Sequence, residues 1–505
     1  MKRNGWFRNF CLFLVVSLVS SQVFAGGTAD QQKGGTPSGS SQKVKYIFFF
    51  VGDGLAMPQI TATEAYANAL SSKEVNVKRL AFSQLPVTGL CTTFDAGSLI
   101  TDSASAGTAF ASGHKTLNGV INMDVTKTKT YKTIAEYAKE QGKKIGVISS
   151  VSLDHATPAS MYAKEPSRGN YYNIAVQLTA SGFDYFGGGG FLQPKGKNKD
   201  LTSVFDLAKR QGYTIVETKQ AFDNLKAGIG KVIAINPVLQ DSSAMKYDID
   251  RKEGELALAD FVRKGIELLQ DGPNGFFIFV EGGKIDWACH ANDAASAIKD
   301  TLAFDAAVRE ALAFAEKHPN ETLVLVTGDH ETGGMAIGFA GTQYETFFDK
   351  IAPQKMSYVA FNEEVLKPYK ASTPKDKAKL EDLAPAIKDA FGIDIASLNV
   401  LQKEQLERAF KRTMGNEVER SIKEEEYLLY GGYEPLTVKL TQILNQMAGI
   451  GWTSYSHTGV PVPVFAKGVN QELFAGYYDN TDIFKKLMIS LGLTPATTGT
   501  PVAAK

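Results

Sequence analysis

Continuous apolar runs, each cut off by polar residues, recur along the chain. Lys45 to Val51 reads KYIFFFV and is followed by Gly52-Asp53-Gly54. Lys144 to Val151 reads KIGVISSV and leads into Asp154-His155-Ala156-Thr157-Pro158. Phe276 to Val280 reads FFIFV, with Glu281 directly after it. Thr322 to Val326 reads TLVLV and closes on Thr327-Gly328-Asp329-His330. Short runs rich in β-branched and aromatic residues predict strands buried on both faces. Helical patterns lie between them, at Tyr131 to Gln141 and at Ala294 to Lys317. This alternation predicts an α/β fold of three α/β/α layers around a mostly parallel central sheet. A last strand-like run, Val460 to Phe465, holds Pro461 and Pro463 and is expected at a sheet edge.

The pattern changes between Gly341 and Ile450. Leu380, Leu383, Ile387 and Phe391 fall on one helical face, and Leu401 to Tyr427 is a charged amphipathic stretch. This region predicts a helical cap inserted into the α/β core, with its mixed charges on a solvated face. The expected division is a core at 44–340, the cap at 341–450, a return to the core at 451–495 and a tail at 496–505. Gly187 to Gly190 form a run of glycines after Phe186. Without the Lys-Ser/Thr of a phosphate loop, a tight turn is the better reading.

The N-terminus has its own pattern. Lys2, Arg3 and Arg8 precede the apolar run Phe10 to Val19, and Val23-Phe24-Ala25 offers a cleavage position. Residues 1–25 therefore read as an export signal, too short for a comfortable membrane span. A retained anchor is the alternative. Gly26 to Gln42 is polar and rich in small residues, a flexible leader over 26–43. No later segment is a membrane-span candidate. The expected location is periplasmic or secreted. Beyond the signal only Cys91 and Cys289 remain, which cannot form a disulfide framework and are expected as buried thiols. The 54 basic side chains balance 54 acidic ones, which argues against a dedicated nucleic-acid partner.

The candidate chemistry lies just past the strands. Each apolar run delivers metal-competent residues beyond its C-terminal end, the edge where open α/β sheets bind ligands. These are Asp53, His155 with Thr157, Glu281, and Asp329 with His330. After Glu281, Asp286 and His290 are four apart, so one helical face presents both to a single cation. Thr101 to Ala109 reads TDSASAGTA. Asp102 suits an N-cap there, which puts Ser103 in the first helical turn, where free N–H groups favour an anion. Such a serine can attack phosphorus. Read alone, the stretch fits a tightly packed small-residue helix better.

Taken in order, Gly52-Asp53-Gly54, Thr101-Asp102-Ser103-Ala104, His155-Ala156-Thr157-Pro158, Arg168, Glu281 with Asp286 and His290, Asp329-His330 and His457-Thr458-Gly459 resemble the alkaline phosphatases. The resemblance runs from about Val44 to His457 and the strand after it. It implies a metallophosphatase that hydrolyses phosphate monoesters through a phosphoserine on Ser103. It implies one zinc on Asp286, His290 and His457, and a second on Asp53, Asp329 and His330. Magnesium is implied on Asp53, Thr157 and Glu281, and Arg168 is implied to hold the phosphoryl oxygens. Two positions vary within the family: His155 stands where some members have Asp, and Trp287 where some have Lys or His. Both are expected near the phosphate. The imidazole of His155 makes zinc an alternative occupant of the third site. The family is often dimeric, so a homodimer is one state the resemblance allows.

Two other readings are open. A phosphodiesterase or sulfatase of the same superfamily is the first. The sulfatase modification motif is absent around Ser103, and Arg168 occupies space a diester would need. A non-catalytic, metal-stabilised binding protein using the helical cap is the second. His114 and His318 are expected to be structural or solvated.

Overall fold

A computed structural model of the chain describes residues 43–415 and 423–494. The export signal, the leader up to residue 42 and the tail from 496 lie outside the described residues, as does part of the Leu401 to Tyr427 stretch. The fold is built on a ten-stranded sheet. Its strands are β1 (Tyr46–Gly52), β2 (Val87–Thr92), β3 (Lys144–Ser149), β4 (Tyr185–Gly188), β5 (Tyr213–Val216), β6 (Lys231–Ile235), β7 (Phe276–Gly282), β8 (Thr322–Gly328), β9 (Val462–Gly468) and β10 (Gly476–Asp479). The order across the sheet is β10-β2-β9-β8-β1-β7-β3-β4-β6-β5. All neighbours pair in parallel except β9, which runs against both β2 and β8.

The continuous apolar runs follow from burial on both faces. In β1, Ile47, Phe49 and Val51 enter the core on one side, and Tyr46, Phe48 and Phe50 the core on the other. β7 divides likewise, with Phe277 and Phe279 opposite Phe276, Ile278 and Val280. Successive side chains of a strand point to opposite faces, so a strand between two helical layers must be apolar at every position. The first layer includes Ser103–Ser112, Ile134–Glu140 and Thr481–Ser490. The second includes Leu258–Leu269 and Ala294–Lys317. The expected three-layer architecture is the observed one.

Register then places the chemistry. Gly52 of β1 pairs with Gly282 of β7 and Gly328 of β8, and Ser149 of β3 with Glu281. These strands end level, so Asp53, Glu281 and Asp329 emerge at one height. Gly328 is needed there, since a Cβ would lie 2.0 Å from the Leu55 carbonyl oxygen.

Two expectations need correction. The proline-bearing strand β9 is interior, with β2 and β10 lying beyond it. In an antiparallel strand the N–H and C=O of one residue face the same neighbour. The Pro463 carbonyl accepts from Thr327 Oγ1 on the β8 side, where the ladder begins only at Val464. The missing N–H therefore falls outside the ladder. The glycine run also does more than turn: Gly187 and Gly188 finish β4. A Cβ on Gly188 would lie 1.8 Å from Ser149 O, and one on Gly189 2.2 Å from Val151 O, so the run lets backbones approach.

The described residues between 341 and 450 include the helices Ala384–Phe391, Val400–Thr413 and Pro435–Ala448. Leu380, Leu383, Ile387 and Phe391 bury together against Leu436, Leu440 and Ile443. Cys91 and Cys289 are free and buried. His114 stacks on Tyr131 and His318 on Phe314. Among the described residues, no helix is long and apolar enough to cross a membrane.

Candidate active site and metal centre

Apart from Ser103, Arg168 and His457, the sequence-predicted site residues sit at the strand ends or on the short elements that follow them. Asp53 follows β1, and Glu281 closes β7. Asp286 and His290 ride the helix Lys284–His290, and Thr157 the helix Ala156–Ala159. Asp329 and His330 follow β8, and His457 lies in a two-residue strand paired with Glu331–Thr332. Ser103 opens the helix Ser103–Ser112, whose N-cap Asp102 accepts from Ser105 N at 3.0 Å. Arg168 reaches in from the loop before Tyr171–Ala180. Its guanidinium donates to Asp102 Oδ2 at 2.9 Å and lies 3.1 Å from His155 Nε2.

The donor atoms converge in three sets. Asp286, His330 and His457 form one, Asp53, Asp329 and His330 a second, and Asp53, His155 and Glu281 a third. His290 belongs with the first, its Nε2 lying 3.3 Å from Asp286 Oδ1 and 3.1 Å from His457 Nε2. Thr157 Oγ1 lies 3.4 Å from Asp53 Oδ2 in the third. His330 Nε2 is central: 3.4 Å from Asp53 Oδ1, 3.2 Å from Asp329 Oδ2 and 3.4 Å from Ser103 Oγ.

The imidazole orientations are set from behind. His290 Nδ1 is 2.6 Å from the carbonyl oxygen of Tyr455, and His457 Nδ1 is 2.8 Å from that of Thr101. A carbonyl only accepts, so both Nδ1 atoms carry hydrogen and both Nε2 atoms are left as ligands. Two such nitrogens 3.1 Å apart beside a carboxylate suit a shared cation. Asp53 Oδ1, Glu281 Oε1 and Asp329 Oδ2 point the same way, being buried without a hydrogen-bond partner. Buried carboxylate oxygens without partners are strongly disfavoured, and divalent cations with nitrogen and oxygen ligands remove that penalty. The residues present therefore fit bound metal ions.

Electrostatics agree. Burial pushes the Asp53 carboxyl well above its ordinary range, and the charges of Asp329, Asp286 and Glu281 push it further. Burial likewise raises Asp329, and raises Glu281 to about 7 against hydrogen bonds from Ser149 and Thr157. Asp286 goes the other way: burial is outweighed by His290, His457 and His330, which hold it low. Burial and then Arg168 push the His155 imidazole down to about 3, so it is a neutral donor. Perturbation of this kind clusters at functional sites.

A cavity of about 340 Å³ opens onto this centre, lined by Ser103, His155, Arg168, Asp286, Trp287, His290 and His457. It is also lined by Asp241, Ser242, Tyr358 and Tyr433, which sequence reasoning missed. Nothing local marks these four. Thr332, whose hydroxyl donates to Asp286 Oδ1, was also missed, although it lies just past Asp329-His330.

The chain has counterparts among known proteins. The family model for alkaline phosphatase matches residues 44–186 and 190–493. The chain belongs to the alkaline phosphatase family. Its enzyme class is therefore phosphoric monoester hydrolase. Alkaline phosphatase 4 of Bacillus subtilis is 31% identical over 506 residues, covering 96% of this chain and 99% of that one. Alkaline phosphatase 3 of the same organism is 32% identical, covering 94% and 95%. The solved cold-active alkaline phosphatase of a psychrophilic Shewanella superposes with a TM-score of 0.73 at 28% identity, covering 88% of this chain and 99% of that one. A TAB5 alkaline phosphatase mutant with Mg bound in its M3 site covers 90% of this chain and 99% of its own, with a TM-score of 0.61 at 25% identity.

Proposed function

We propose that this phosphatase is an exported enzyme whose nucleophile is Ser103 and whose phosphoryl clamp is Arg168. The observation that carries the reading is the meeting of three cation-type donor sets, two sharing His330 and two sharing Asp53, with Ser103 Oγ 3.4 Å from His330 Nε2. Asp286, His290 and His457 would hold one zinc, and Asp53, Asp329 and His330 the other. Asp53, Thr157 and Glu281 would hold magnesium, which a relative carries in its M3 site. His155 beside that set supplies a nitrogen that would let zinc take the same place. Zinc ions bound so would polarise and clamp the attacking and leaving oxygens.

The chain's own residues do the rest. Arg168 spends one N–H on Asp102 and keeps others for two phosphoryl oxygens, in the fork geometry suited to phosphate. The N-terminus of the Ser103–Ser112 helix adds free backbone N–H groups on the same side. Ser103 Oγ loses its proton and attacks phosphorus. The P–O ester bond breaks and the alcohol leaves with a proton. Water then attacks the phosphoserine, breaking the P–Oγ bond and releasing phosphate. Export follows from the pattern of residues 1–25, and the core and cap division from that of 44–495.

The test is kcat/KM for an aryl phosphate monoester against the matching diester, at alkaline pH with zinc and magnesium supplied. Strong monoester preference, lost on chelation and restored by zinc, is expected. A diester preference would overturn the clamp, and absence of turnover on both would overturn the reading itself.

A further inference from the structure

We propose that the cavity carries an aromatic leaving-group subsite formed by Trp287, Tyr358 and Tyr433, and that it selects monoesters of small, ring-bearing alcohols. The inference rests on the phosphatase reading above and names its substrate class. None of the three rings belongs to a cation-donor set, yet all three line the same cavity as Ser103 and Arg168. Each is only half-buried, so each keeps a face or edge available. Two come from the helical region: Tyr358 opens the helix Tyr358–Phe361, and Tyr433 lies in the turn before Pro435–Ala448. That region therefore contributes wall to the active-site cavity.

The rings are held in place before any ligand arrives. Tyr358 meets Tyr433 edge-on at 5.7 Å, and meets Tyr247 at 5.7 Å with the Tyr247 hydroxyl donating to its own at 3.1 Å. Trp287 meets His155 edge-on at 5.8 Å. Behind them, the fully buried Lys284 Nζ stands 3.6 Å from the Tyr247 ring and 4.8 Å from the Trp287 ring, and is ion-paired with Asp241 at 2.5 Å. Asp241 leads into Ser242 and Ser243, both left-handed at φ 50° and 57°. Strain of that kind at non-glycine residues persists only where surrounding contacts impose it. A wall fixed in advance loses little freedom when a ring binds against it. The cavity, about 340 Å³, is at the small end of the range for ligand pockets, roughly 300–1,000 Å³. A phosphoryl group and one ring system fit that space.

The test compares benzyl phosphate with ethyl phosphate on the zinc- and magnesium-loaded enzyme. Both release alkoxides of similar basicity, so the kcat/KM ratio reports recognition and not bond strength. A ring preference of about tenfold is expected from aromatic contacts of ordinary strength. Cyclohexylmethyl phosphate, equal in bulk but without a π face, should fall between the two. Tyr433→Leu and Tyr358→Leu should each lower the benzyl-to-ethyl ratio several-fold. A wild-type ratio near one, or variants that depress both esters equally, would overturn the subsite. If a variant does not fold, the other variant and the wild-type ratio still decide. Failure of the wild-type enzyme to hydrolyse either ester would instead refute the proposed function.

Discussion

Replacing Arg168 with Ala should separate recognition of a monoester from everything else the site does. Arg168 donates to Asp102 through one terminal nitrogen and lies against His155 through the other. Each of those nitrogens carries a second N–H, which is what a bidentate hold on two phosphoryl oxygens requires. Charge-assisted hydrogen bonds contribute about 1.5–3 kcal/mol each. Its side chain is 26% exposed, so water recovers part of two such bonds when it is removed. A loss of about 3–4 kcal/mol remains, or about 10²- to 10³-fold in monoester kcat/KM. Arg168→Lys keeps the charge but not the fork and should lose about 10-fold to 100-fold. Asp102 still accepts from Ser105 N and Gly119 N, so the nucleophile's helix keeps its cap in either variant. The assay is steady-state kinetics on a monoester and its diester, with the inhibition constant for phosphate measured alongside. Weaker phosphate inhibition and a smaller loss on the diester are expected, because a diester has one fewer charged oxygen to hold. Equal losses on both substrates with unchanged phosphate inhibition would refute the clamp.

Three further outcomes follow from the same geometry. Asp53, Asp329 and Glu281 have folded pKa values above their unfolded ones, Glu281 at about 7, so without metal their stability contribution is full at low pH and lost as pH rises through 7. The melting temperature of chelated protein should therefore fall as pH rises from about 4.5 to about 7, and zinc should raise it more at the higher pH, as scanning fluorimetry will show; a pH-independent response would contradict the buried cluster. Thr332→Val removes the hydroxyl that donates to Asp286, and zinc titration of the metal-free enzyme should show affinity reduced about tenfold or more. Phe279→Ala deletes a fully buried ring set edge-on against Phe49 at 5.6 Å, and urea unfolding should register a loss of about 3–5 kcal/mol; a loss under about 1 kcal/mol would mean the sheet does not depend on this contact.

The parts of this fold that could be read in advance are those where one physical demand dominates. β1, β7 and β8 are buried at every position and apolar through their middles because helices cover both faces, and β3 is buried at all but its first position. Their ends carry Asp53, Glu281 and Asp329 because level registers bring those positions together. β2 escaped notice because it alternates: Val87, Gly89 and Cys91 are buried, while Thr88 and Leu90 are exposed. β4 is half glycine, and β5 is four residues with one side open. β9 was misplaced because proline usually marks an edge, and that the Pro463 nitrogen falls outside the ladder is visible only in three dimensions. At the site, the metal-type residues stood out through their chemistry and order. Tyr358, Tyr433 and Asp241 did not, since a tyrosine in a helical region and an aspartate in a loop become cavity wall only through long-range packing.

Phosphate is expected to pass through Ser103. Zinc- and magnesium-loaded enzyme turning over an aryl phosphate should be quenched in acid and digested, and the peptide containing Ser103 weighed. A peptide heavier by one phosphoryl group, absent from Ser103→Ala together with the turnover, is the predicted result. Full turnover by Ser103→Ala, with no phosphorylated peptide from the wild type, would rule out a phosphoserine at this position.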